Sequence, residues 1–192
     1  MIEEAFTHDP TPPAPGDLEL LQRFVNLHDH TPGDPRTLPP SLEALHGFLV
    51  MRGLLDAKER FDAADREKAL ALAEAIRSEV ADDGGEMGRA EAVALIEQVA
   101  ADAGLRPRFS VEEPPRLEPV ARGLAGGLGR IVAIAFLAKL DGTWDHLKRC
   151  ADESCRSVFY DHSKNHSGKW CSMQSCGNRS KVRAWRARQA AE

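Results

Sequence analysis

Cys150-Ala151-Asp152-Glu153-Ser154-Cys155 and, fifteen residues on, Cys171-Ser172-Met173-Gln174-Ser175-Cys176-Gly177-Asn178-Arg179 are the two stretches that decide how this chain is read. They hold all four cysteines of a 192-residue chain, and the first 149 residues hold none. A disulfide framework would be spread through the fold. Two Cys-x4-Cys pairs packed this closely instead read as metal ligands. Zinc takes a tetrahedral shell, and thiolates at about 2.3 Å satisfy it when two short cysteine-bearing turns face each other. With Cys150, Cys155, Cys171 and Cys176 as ligands the shell is closed. No place is left for an activated water, so the expected cofactor is one structural zinc ion per chain. His162 and His166 lie between the pairs and are read as surface, loop or phosphate-contacting residues rather than ligands.

Working outward, Ser157-Val158-Phe159-Tyr160 is β-like, and Asp161 to Gly168 is polar turn material. Lys169-Trp170 then leads back to the second pair. The order expected is a knuckle, a hairpin and a helix, a treble-clef-like unit too small to fold by burial alone. Gly177-Asn178 offers a turn and a cap, and Arg179 to about Ala190 has good helix formers. On a helical wheel Arg179, Arg183 and Arg186 share one face, Lys181 and Arg188 another, and Val182 with Trp185 forms an apolar strip expected to pack on the finger. Trp170 and Trp185 are both expected in the core rather than as base-stacking platforms.

Charge divides along the same line. Residues 146–192 carry ten Lys or Arg against four acids, net +6, whereas the first 145 residues carry 15 against 26, net −11. A basic end on an acidic body is the distribution of a chain that meets a polyanion at one end. Lys164, Lys169, Asn178, Arg179, Lys181, Arg183, Arg186 and Arg188 are the candidate nucleic-acid contacts, because arginine forks and a helix N-terminus suit phosphate oxygens.

The preceding region is helical. Residues 1–16, with Pro10, Pro12, Pro13 and Pro15, read as a flexible lead-in. Leu18, Leu21, Val25 and His28, widened by Leu20, Phe24 and Leu27, predict a helix over 17–28 capped by Asp17. Pro32 to Pro40 reads as a loop. Ser41 caps a helix bearing Leu42, Leu45, Leu49, Leu54 and Leu55. A helix over 63–80 with Ala69, Leu72, Ala73 and Ile76 inward ends at Asp82-Asp83-Gly84-Gly85. One over about 88–103 turns Ala92, Leu95, Ile96 and Val99 inward and stops at Gly104. Residues 106–112 and 116–120 predict a small antiparallel hairpin. Residues 124–140 predict an apolar central helix whose glycines permit close packing rather than phosphate binding.

The fold class is therefore mainly α (α+β): a multihelical domain over 17–143 with a small β-hairpin, then the zinc module over 144–192. At 42% hydrophobic content the chain can bury a real core. Its longest apolar run, Ile131 to Leu137, is too short for a membrane span, and the start has no secretory pattern, so no membrane and a cytoplasmic location are expected. No nucleophile set or phosphate-cradling glycine loop is placed by a motif, which argues against an enzyme.

Cys150, Cys155, Phe159-Tyr160-Asp161, Lys169-Trp170-Cys171-Ser172, Cys176-Gly177-Asn178-Arg179 and Lys181-x-Arg183-x-Trp185-Arg186-x-Arg188 together resemble the CGNR zinc finger family. That resemblance implies zinc on the four cysteines and DNA on the basic residues. The region before it, through Leu20 to Asn26 and Ala69 to Val80, resembles the ABATE domain that accompanies such fingers in stress-linked bacterial transcription regulators. Gln22-Arg23 and Leu27 depart from that pattern, and Asn26 is read as a capping or core-bonding residue. The leading expectation is a zinc-binding regulator that contacts duplex DNA, with the N-terminal domain sensing a small-molecule ligand or forming a homodimer. The alternative is a zinc-stabilised RNA- or protein-binding adaptor.

Overall fold

The structure is a computed structural model and describes residues 11–27, 39–81, 85–112, 114–152 and 154–190. The predicted positions at His28, Pro32 to residue 38, and the Asp82-Asp83-Gly84 helix stop lie outside the described residues, as does the lead-in before Thr11. Six α-helices and two two-stranded sheets are described: α1 (Leu18–Val25), α2 (Leu42–Met51), α3 (Ala63–Val80), α4 (Arg89–Ala103), β1 (Arg106–Arg108), β2 (Arg116–Glu118), α5 (Gly123–Asp141), β3 (Leu147–Arg149), β4 (Val158–Tyr160) and α6 (Asn178–Ala190). A 3-10 turn, Thr143–His146, follows α5, and a single π-helical turn, Met173–Gly177, precedes α6.

Local chemistry accounts for most of the boundaries. Ser41 accepts from Ala44 N at 3.2 Å and starts α2. Asp62 and Asp65 form a reciprocal capping box at the head of α3. Gly104, in the left-handed region at φ 60°, ends α4. At α1 the expectation fails: Asp17 has helical dihedrals and its side chain caps nothing. The anchoring there comes from Gln22, fully buried, which accepts from Ala14 N at 2.6 Å and donates to Thr11 Oγ1 at 2.7 Å and to the Pro12 carbonyl at 3.1 Å. Thr11 and Ala14 are themselves buried, while Pro12, Pro13, Pro15 and Gly16 are exposed, so the described end of the lead-in is held to α1 at these two points. Leu54 and Leu55 are buried as predicted, although they follow the end of α2, and Phe48 joins Leu45 and Leu49 in its core face.

The hairpin is antiparallel with Pro107 opposite Leu117, and it is shorter than the predicted strands: pairing ends at Arg108, beyond which Phe109 and Val111 stand in solvent with no core face to bury them. Helix α5 is the core helix, packing against α1, α3 and α4 and reaching β2. By length and composition alone it could cross a membrane, but more than half of it is buried inside the fold. Its glycines are packing positions as expected. A Cβ on Gly127 would lie 2.0 Å from the Leu54 carbonyl oxygen, and one on Gly129 would lie 2.3 Å from Ala103 Cβ.

One core runs through both halves of the chain. Leu147 and Val158, from the strands beside the cysteines, belong to the same buried cluster as Phe24, Ile76 and Ile131, while the cysteines and Phe159 form a second cluster with Trp170 against it. Asn26, at the C-terminus of α1, joins the halves as a peptide mimic. Its Nδ2 donates to the Val158 carbonyl at 2.7 Å, and its Oδ1 accepts from Val158 N at 2.8 Å. Asn26→Ala leaves two buried backbone groups of β4 without these partners, and we expect a loss of about 2–4 kcal/mol in denaturant unfolding.

Candidate metal centre and basic helix

The hairpin and the second cysteine turn bring the four thiols together. β3 and β4 pair antiparallel with Arg149 opposite Val158, and Cys150 N continues the ladder to the Ser157 carbonyl at 2.8 Å. Between the strands the chain turns on Asp152: Cys155 N donates to the Asp152 carbonyl at 2.8 Å. Arg156 follows with φ 56°, uncommon for a residue with a Cβ. Its guanidinium is tied to Glu74 at 3.3 Å and to Glu86 at 2.8 Å, holding the turn against the helical body. On the other side, Ala151 N donates to the Lys169 carbonyl at 2.8 Å, which seats the second pair beside the first. Ser172 accepts from Ser175 N at 3.4 Å and opens the π-turn that carries Cys176.

All four cysteines are buried, and their sulfurs lie within 4.8 Å of one another. Cys155 Sγ is 3.5 Å from Cys171 Sγ, which is 3.6 Å from Cys176 Sγ. A tetrahedral zinc shell with bonds of about 2.3 Å has sulfur–sulfur edges of about 3.8 Å. These distances fit such a shell and are far from a disulfide bond of about 2 Å. The thiols also perturb one another. The hydrogen bond from Cys150 holds Cys155 well below the usual thiol range. The same proton sharing with Cys155 pushes Cys150 up to about 12, and contact with Cys150 and Cys155 drives Cys171 upward. Four buried thiols this close cannot all ionise unless a cation lies among them. Neither His162 nor His166 joins the cluster. His162 Nε2 lies 3.0 Å from the Pro13 carbonyl, and His166 Nδ1 lies 2.8 Å from His146 Nδ1.

Asp161 secures the loop between the pairs. Buried, it accepts from Gly168 N at 2.7 Å, Ser163 N at 3.0 Å and Lys148 Nζ at 2.7 Å. Burial opposes its ionisation, but these donors, Lys148 foremost, keep its carboxyl well below the usual range.

Asp152 is the residue that reading the sequence missed. Its side chain is buried and sits between the first knuckle and the basic helix. Ser154 Oγ donates to Oδ1 at 2.8 Å, Arg179 Nε donates to Oδ2 at 3.0 Å, and Arg183 lies 2.7 Å from Oδ1. Burial would raise its carboxyl, but the donors from Arg183, Ser154 and Arg179 hold it at about 2. Arg179 also donates to Cys176 Sγ at 3.1 Å. A zinc ion held by four thiolates leaves two units of negative charge, and a guanidinium on a ligand sulfur offsets part of it.

The candidate nucleic-acid residues therefore divide. Arg179 and Arg183 face inward to Asp152, and Arg183 keeps about half its side chain in solvent. Asn178 does not cap α6 as expected: it has helical dihedrals, and its Nδ2 donates to the Gln174 carbonyl at 3.0 Å. Lys164, Lys169, Lys181, Arg186 and Arg188 are exposed and, among the described residues, unpaired. The strip expected to pack on the finger is also in solvent, with Val182 46% and Trp185 56% exposed; only Trp170 is packed as expected. The reason lies in α6 itself. Asp152 claims the face of Arg179 and Arg183, which turns the Lys181–Trp185 side outward.

A separate groove lies between α3, α4 and α5. It encloses about 620 Å³, has a floor of Ala71, Leu95, Val99 and Leu128, and is edged by Glu67, Lys68 and Asp102.

A closed four-cysteine centre on a strand–turn–strand frame, with a helix leaving its last ligand, defines a zinc finger carried on a helical body. The chain matches the CGNR zinc finger model over residues 146–189 and the model of ABATE, described as "Putative stress-induced transcription regulator", over residues 18–137. The second match spans more than half of the chain, and the chain belongs to the ABATE family, with a CGNR finger at its C-terminal end. At family level it is a zinc-binding protein of the regulator type. No curated protein matches it.

The centre accounts for two expected outcomes. Cys171→Ser lowers bound zinc below one equivalent per chain, measured by metal analysis after gel filtration. Asp152→Ala keeps zinc but releases Arg179 and Arg183, so limited proteolysis cuts within 178–190 faster than in the parent chain.

Proposed function

We propose that this protein is a DNA-binding transcription regulator without catalytic activity, working in the cytoplasm. Its zinc module, treble-clef-like in order, orients α6 toward the phosphates. The observation that carries this reading is that Lys181, Arg186 and Arg188 are exposed and, among the described residues, unpaired, on a helix that Arg179 and Arg183 fix to the metal centre through Asp152. Helix α6 contains no acidic residue, while the body it leaves is acidic, so a polyanion is drawn to this end of the molecule. Lys164 and Lys169 add exposed charge to the finger. The groove between α3, α4 and α5 is the place for the sensing role: its volume suits a small molecule, and its apolar floor with a few polar groups at the edge is the usual makeup of a ligand site.

The test is binding of the zinc-loaded chain to duplex DNA across a salt series. Replacing Lys181, Arg186 and Arg188 together by Ala is expected to flatten the slope of log K against log salt by about 2–3, since each phosphate contact contributes about 0.9. Zinc content and helix content stay unchanged, because none of the three touches the metal frame. Absence of binding at low salt overturns the reading, and tighter binding to structured RNA than to DNA moves it to the adaptor alternative.

A further inference from the structure

Helix α6 presents an aromatic side chain between two cations on its solvent side. Lys181, Trp185 and Arg188 stand at i, i+4 and i+7, the spacing that lines one helical face over about 10 Å. This face is roughly opposite the one on which Arg179 and Arg183 bind Asp152. None of the three side chains makes a hydrogen bond, ion pair or ring contact among the described residues. Trp185 differs in this from the other two tryptophans: Trp144 is buried beneath Lys139, and Trp170 packs against the cysteine cluster. Trp185, 56% exposed, and Val182, 46% exposed, form an apolar strip in solvent at the centre of a helix carrying five basic residues and no acid. Aromatic rings flanked by cations are how proteins hold unpaired bases, the ring stacking on the base and the cations meeting the phosphates on either side.

We propose that Trp185 is a base-stacking residue, and that α6 binds DNA at an unpaired base, with Lys181 and Arg188 on the neighbouring phosphates. The proposal rests on the nucleic-acid reading above and specifies the form of DNA recognised. A fully paired helix keeps its base faces stacked on each other, so it offers Trp185 only an edge. A duplex with one unpaired base, or a single strand, offers a π-face that any of the four bases supplies. The preference created is for DNA state and is tolerant of sequence.

The experiment uses the zinc-loaded full chain and three probes: a paired duplex, the same duplex with one extra unpaired base, and the single strand. Affinity is measured for the parent, Trp185→Ala and Trp185→Phe, with tryptophan fluorescence recorded for the parent and Trp185→Phe. The two probes with an accessible base are expected to bind the parent on the order of tenfold more tightly than the paired duplex, and to quench the emission that Trp185→Phe lacks. Trp185→Ala removes that preference and leaves paired-duplex binding within about twofold; Trp185→Phe keeps most of it. Equal affinity of the parent for all three probes, or a preference that survives in Trp185→Ala, overturns the stacking role while leaving the DNA reading standing. No DNA binding by the parent at low salt overturns both. Quenching confined to the paired duplex also overturns the proposal. Should Trp185→Ala lose its zinc, the quenching difference between parent and Trp185→Phe decides alone.

Discussion

Four thiols held within 4.8 Å of one another inside a buried pocket are the constraint on which the C-terminal quarter depends. As neutral thiols they would waste the site, and as thiolates they repel; a divalent cation turns the cluster from a liability into the strongest contact in the module. The surroundings are arranged for that outcome. Backbone donors fix the turns, Arg179 approaches Cys176, and Phe159 with Trp170 keeps water from the sulfurs. The finger has few other means of holding itself, since its strands are three residues each and its own apolar cluster is small.

The metal frame is then connected in two directions by side chains that are both buried and polar. Toward the body, Asn26 pairs with both backbone groups of Val158, and Arg156 reaches Glu74 and Glu86. Toward the basic helix, Asp152 takes Arg179 and Arg183. A buried carboxylate is costly when alone and tolerable when fully hydrogen-bonded, so the geometry at Asp152 leaves little freedom for the start of α6. The helix therefore leaves the finger in one orientation, with Lys181, Trp185 and Arg188 outward. Helix direction is set by an ion pair and a metal ligand, with little apolar packing beneath.

The periodic features were legible from residues alone. Helix α3 spans the residues its apolar pattern predicts, α4 stops at Gly104, and the cysteine spacing identifies the metal cluster. The glycines of α5 read correctly as packing residues because they fall within a helical apolar pattern. What escaped was long-range polar pairing. Nothing local to Gln22 shows that it will hold Thr11, Pro12 and Ala14, and nothing local to Asn26 shows its partner 132 residues away. Asp152 carried a faint signal, an acid two residues after a ligand in a turn. The wheel for α6 treated Val182 and Trp185 as the inward strip because apolar residues usually are, and the acid at Asp152 outcompeted them for Arg179 and Arg183. Periodicity reports where apolar surface is buried, and it does not report which buried acid chooses a cation.

The central claim is that one zinc ion on four cysteines fixes the finger and, through it, the start of α6. Amide hydrogen exchange followed along the whole chain during zinc titration tests this most directly. The account predicts saturation at one zinc per chain, with protection rising together at 147–160 and at 171–183 and little change in α3 and α5. Protection of those two segments that is already complete in metal-free protein, or zinc uptake that leaves the start of α6 unprotected, would contradict it.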